Sequence, residues 1–136
     1  MCDVRKDLMR YRLEMAGDRL RASKILYEAE SYKDSIGRSY YAMFTSVRAL
    51  LALEGQDFSK HAGVISYFQK NYIKTGIFDK KFSKYISQAF QIRNNTDYAD
   101  FFIVSKQDAR EQYERAEEFL AAVECFIDNE MQSIND

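Results

Sequence analysis

The stretch IGRSYYAMFTSVRALLALE, residues 36–54, decides the fold. Ile36, Tyr40, Met43, Phe44, Val47, Leu50 and Leu51 recur at three- and four-residue steps without a miss, the repeat of a helix with one buried face. Gly55 stands just past the last of them, where helices commonly end on a left-handed residue. Upstream, Asp34 or Ser35 is placed to cap the first turn by accepting from its free N–H groups. A second side of the same helix carries Arg38, Tyr41 and Arg48. Arg38 and Tyr41 read either as a ligand-facing cluster or as interhelical packing with ion pairs.

The same period extends to both sides. Residues 4–30 form a first helix with two adjacent stripes, one through Leu8, Tyr11, Met15, Ala22, Leu26 and Ala29, the other through Met9, Leu13, Ala16, Leu20 and Tyr27. Arg5, Arg12 and Arg19 repeat every seven residues on it, as a phosphate-facing row or a solvated face. Ser59 is a plausible cap for a shorter helix with Val64, Ile65, Phe68 and Tyr72, closed by Lys74-Thr75-Gly76. His61, the only histidine, lies in its first turn. Asp79 opens a fourth helix, which dissolves near Thr96. A connection of roughly eight residues follows, with Phe101, Phe102 and Ile103 expected to be pinned into the core. Ser105 and Asp108 form the box that starts the last helix, with Ala109, Tyr113, Ala116, Leu120, Val123 and Ile127 inside.

Composition agrees with this reading. The chain has 136 residues, with 46% apolar and 30% charged, the balance of a globular protein, and it is expected to be a single domain over 1–136. Pro 0 and Gly 5 leave few turns, so the fold is all-α. The net charge of -1 hides an asymmetry: residues 1–93 carry 17 basic against 10 acidic side chains, residues 94–136 only 3 against 11. That is either a basic surface for phosphates beside an acidic last helix, or solvated helix faces. The charged start MCDVRKDLMRYRLEM has no signal-peptide pattern, and no apolar run reaches the roughly 18 residues of a membrane span. Cys2 and Cys125 lack metal or redox spacing and read as free thiols of a reducing compartment. The expectation is a cytoplasmic protein away from the membrane.

The site candidate is QAFQIRNNTDYADFF, residues 88–102. Phe82, Ile86, Ala89 and Phe90 mark an apolar face, and Arg93 falls on it, where a cation needs a partner or a ligand. Asn94, Asn95, Asp97 and Tyr98 follow and favour helix ends. A guanidinium near a helix C-terminus is favourable with the dipole; its functional use is two-point recognition of phosphate. Glycine-rich phosphate loops, serine or cysteine paired with histidine, metal-ligand spacing and nucleic-acid motifs are missing, so no cofactor is expected. Asp97 and Asp100 form one carboxylate pair without a metal-site pattern.

Four ordered pieces carry a likeness: GRSYYAMFTSVRALL (residues 37–51), KHAGVISYF (60–68), KTG (74–76) and IRNNTDYADFF (92–102). Together they resemble the HEPN-domain family, specifically its small stand-alone branch, over nearly the whole chain. The resemblance implies a five-helix up-and-down antiparallel bundle that forms a homodimer, with the end of helix four near the dimer cleft. Many HEPN proteins are metal-independent ribonucleases, and small ones often pair with a minimal nucleotidyltransferase in toxin–antitoxin-like modules. The family's nuclease motif is Arg, a polar residue, and His about four to six residues on. Arg93 and Asn94 match its start; Tyr98, Ala99 and Asp100 stand where the histidine belongs. The resemblance with that departure implies a subunit that binds a nucleotide, RNA or a nucleotidyltransferase through Arg93, Asn94, Asp97 and Tyr98, with Arg38 and Tyr41 nearby, and lacks full catalytic competence. The alternative is a metal-independent endoribonuclease using Arg93 with Tyr98 or His61.

Overall fold

The computed structural model describes residues 3–99 and 101–135. Cys2 and Asp100, singled out above, lie outside the described residues. The described residues form five helices: α1 (Asp3–Glu28), α2 (Tyr32–Glu54), α3 (His61–Phe68, continued by a π-helical turn over Gln69–Ile73), α4 (Lys80–Tyr98) and α5 (Lys106–Asn135). Among the described residues there is no strand. None of these helices is long and apolar enough to cross a membrane.

α2 is the hub, packed against α1, α3, α4 and α5. Its expected apolar face is buried, from Ile36 through Leu51. A second face, made of Ser35, Ser39, Ala42, Ser46 and Ala49, is buried as well. Small side chains at three- and four-residue spacing let another helix come close, and α1 does so with Ala16 and Ser23. There the Ser23 hydroxyl donates to the Ser35 carbonyl at 2.9 Å and lies 2.6 Å from Ser39 Oγ, while Ser35 Oγ donates to the Ser23 carbonyl at 2.8 Å. Buried hydroxyls are tolerated because each has a partner.

The rest of the core is aromatic. Phe68 rings meet those of Tyr72, Phe78 and Phe119, and Phe82 stands edge-on to Phe119. α4 runs antiparallel to α5, tied by Lys81 and Tyr85 to Glu118 and by Arg115 to Gln88.

Several local signals act as expected. Gly55 ends α2 at φ 70°, and a Cβ there would also meet the Arg5 guanidinium. Asp79 caps α4 by accepting from Lys81 N–H, and Ser105 and Asp108 bond each other's backbone N–H at the start of α5.

Other expectations are corrected. α2 begins at Tyr32 with Ser31 at the cap position, so Asp34 and Ser35 lie inside it. α3 begins at His61 without a side-chain cap, so Ser59 does not serve. In α1, Leu8 and Tyr11 face outward and Arg12 faces in, donating to the Arg48 carbonyl at 2.9 Å; it belongs to neither a solvated face nor a phosphate row. Phe101 and Ile103 are not pinned into the core but stand 96% and 86% exposed. α4 continues through Tyr98 because its last turn is laced by its own side chains: Thr96 Oγ1 donates to the Arg93 carbonyl, and Arg93 pairs with Asp97.

Candidate functional site

The site forms where α2, the start of α3 and the last turns of α4 meet. Tyr40 and Tyr41 are consecutive, so they leave α2 about 100° apart. Tyr40 enters the core and Tyr41 lies half-buried beside it, their rings edge to face at 5.3 Å. A buried phenol needs a hydrogen-bond partner. Tyr40 finds it in His61, whose Nδ1 lies 2.8 Å from its hydroxyl. The imidazole is clamped further by stacking on Phe44, at 4.0 Å and 20°.

α4 supplies the cation. Arg93 lies over the Tyr41 ring at 4.8 Å and the Tyr40 ring at 5.8 Å, an arrangement in which ring quadrupoles attract a guanidinium. Its Nε pairs with Asp97 at 3.2 Å, one turn on along the helix. The side chain keeps 20% of its surface in solvent, so the guanidinium is held but still reachable.

These neighbours set protonation. Burial, followed by the positive charges of Arg93 and Arg48, pushes the His61 pKa below its ordinary 6.5. The imidazole is therefore neutral at pH 7. Burial likewise pushes the Tyr40 phenol up, against the opposing pull of Arg93, so it stays protonated. Tyr40 then either donates to a bare Nδ1 or accepts from Nδ1–H, leaving the far ring nitrogen of His61 as donor or acceptor respectively. A neutral imidazole beside a reachable guanidinium can move a proton next to a bound anion.

Of the residues named from sequence, the fold thus joins Arg93, Asp97, Tyr41 and His61. Among the described residues, Arg38, Asn94 and Tyr98 form no hydrogen bond, ion pair or ring contact with that group; Arg38 is exposed and Tyr98 is 80% exposed. Tyr40, Phe44 and Phe90 were legible only as core, yet they clamp the site. The signal that marks Tyr40 is its hydroxyl, which a buried apolar position cannot leave unpaired. Among the described residues, no three His, Cys, Asp or Glu side chains gather as a metal site. Cys125 is a free, exposed thiol.

The described residues thus form an all-α bundle whose hub helix presents a tyrosine pair to one arginine and one histidine. Residues 9–126 match the HEPN domain family, and the chain belongs to that family. A UPF0332 protein of Thermotoga maritima is 31% identical over 125 residues, covering 92% of this chain and 95% of its own. Two proteins of Methanocaldococcus jannaschii, each named "Putative toxin", are 31% and 33% identical, covering 93% and 85% of this chain and 87% and 78% of their own.

Proposed function

We propose that the chain is a toxin-like HEPN protein that binds RNA and cleaves it without a metal ion. Arg93 grips the scissile phosphate and His61 moves the proton. One observation carries this reading: His61, on α3, is seated on the Tyr40–Tyr41 pair that also holds Arg93. An imidazole from α3 thereby stands in for the histidine that α4 lacks after Arg93. The names of the two archaeal relatives support the toxin-like role. In the reaction, His61 takes the proton of a ribose 2′-hydroxyl, whose oxygen forms a bond to the adjacent phosphorus. The P–O5′ bond breaks, the 5′-oxygen takes a proton from water, and a 2′,3′-cyclic phosphate remains. Arg93 neutralises the phosphate as charge builds on it.

Incubating the full chain with single-stranded RNA in EDTA tests this. Products ending in 2′,3′-cyclic phosphate are expected; intact RNA across several sequences overturns it. A second reading, binding of a nucleotide or RNA without cleavage, draws on Tyr98 and Ala99 standing in the histidine positions and on the Arg93–Asp97 pair, which an anion must share. RNA that binds with Arg93 dependence yet stays intact selects that reading. Tyr98 at the end of α4, and Phe101 and Ile103 in the connection after it, are exposed apolar or aromatic side chains, which supports a partner at that end of the bundle. A second copy of the chain or a minimal nucleotidyltransferase is the partner the family implies, and light scattering of the chain alone and with the enzyme tells them apart.

A further inference from the structure

We propose that the cavity on the other side of His61, between α2 and the start of α3, is a second subsite for the same RNA strand. It takes the phosphate next to the one at Arg93. The inference rests on the RNA reading above and adds to it the path of the strand.

The cavity is about 420 Å³, open to solvent, and lined by Phe44, Arg48, Asp57, Phe58, Lys60 and His61. Its charge is cationic. Arg48 and Lys60 stand in the wall and Arg12 lies behind it, against the single carboxylate of Asp57, which pairs with Arg48 at 3.4 Å and Arg12 at 3.6 Å. Two of the three cations therefore share one carboxylate, and positive charge remains. The Arg48 side chain keeps 36% of its surface in solvent, so part of its guanidinium fork is reachable by phosphate oxygens. The first turn of α3 adds uncapped N–H groups at the same wall. Phe58, 38% exposed, offers a ring face on which a base can stack whatever its identity.

His61 is the shared wall. It stacks on Phe44 toward the cavity and bonds Tyr40 toward Arg93. A single strand laid across the imidazole meets Arg93 on one side and Arg48 with Lys60 on the other. This places a ribose between two held phosphates, at the group that takes its proton. Two-sided anchoring of this kind restricts the sugar to the geometry the attack needs.

Binding of a fluorescein-labelled 2′-O-methyl oligoribonucleotide, which lacks the nucleophile, tests the subsite by anisotropy across salt concentrations. Lys60→Gln and Arg48→Gln should each weaken binding about fivefold and flatten the slope of log K against log salt by about 0.7, the value for one single-strand phosphate. Arg93→Gln should remove a separate, similar amount. Unchanged affinity and slope in both cavity variants, with loss in Arg93→Gln, overturns the second subsite and leaves the function standing. Loss in the cavity variants with none in Arg93→Gln keeps the cavity as an RNA site and removes Arg93 from it. Arg48 also pairs with Asp57, so circular dichroism accompanies its variant; if helicity falls, the exposed Lys60 alone decides.

Discussion

Ser39 and Tyr40 are neighbours in the chain, yet the polar clusters they join differ in kind. On one side of α2, Ser23, Ser35 and Ser39 are fully buried and bond one another and two carbonyls. On the adjoining side, Tyr40 bonds one nitrogen of His61, and Arg93 pairs with Asp97 through a single nitrogen. The serine cluster closes on itself, and the tyrosine cluster leaves groups free at the surface. A closed network stabilises a helix pair and has nothing left to offer a ligand. An open one, held on rigid aromatic rings, costs some stability and keeps a guanidinium and an imidazole available. Burial of polar groups therefore does not by itself single out a ligand site; unpaired capacity at a solvent edge is what a ligand needs.

The comparison breaks most sharply at His61. His61→Gln should lower RNA cleavage by roughly 10²–10⁴-fold while the thermal unfolding curve moves little. In the proposed reaction the neutral imidazole is the active form, so cleavage should rise with pH with its midpoint below 6.5, because burial and the two arginines lower the imidazole pKa. The same shift makes the protein less stable as pH falls from the ordinary histidine range through the lowered value, since the unfolded chain then binds the extra proton more readily. Both limbs should vanish in the variant, which pH–rate and pH–melting profiles read.

Arg93→Gln comes next, with cleavage down roughly 10²–10³-fold and binding weakened in parallel, measured by gel assay and anisotropy. Tyr40→Phe keeps the rings stacked but frees Nδ1 of His61; it should cost about tenfold in rate and change the tautomer seen by ¹⁵N shifts of the ring. If the tautomer is unchanged, Tyr40 only packs. Ser23→Ala tests the other cluster: it strands the Ser39 hydroxyl, so stability should fall by about 1–3 kcal/mol with cleavage per folded molecule unchanged. Asp97→Asn has the smallest expected effect, a few tenths of a kcal/mol in stability, because an i,i+4 pair near the surface contributes only about 0.3–0.5 kcal/mol.

What the sequence reveals follows the range of the interactions. Gly55, Asp79 and the Ser105–Asp108 box act within one turn, so their roles are visible in a few consecutive letters. The apolar face of α2 is visible for the same reason. Its serine face is not, because hydroxyls read as polar until Ser23 arrives from another helix to bond them. Arg93 is legible as a cation on an apolar stripe, but the Tyr40–Tyr41 pair that receives it is on α2. His61 is distant from Arg93 in the chain, and only packing of α3 against α2 brings it to the same rings. Phe101 and Ile103 mislead in the opposite direction: apolar character predicts burial, and the connection leaves them in solvent.

In the proposed reaction an α3 histidine and an α4 arginine work as one unit. A double-mutant cycle on cleavage in EDTA, with His61→Gln, Arg93→Gln and the pair, measures this directly. Residues acting on one transition state are strongly non-additive, so the double variant should be no slower than the worse single one. Losses that multiply, or a His61→Gln variant as fast as the wild type, would rule out that coupling.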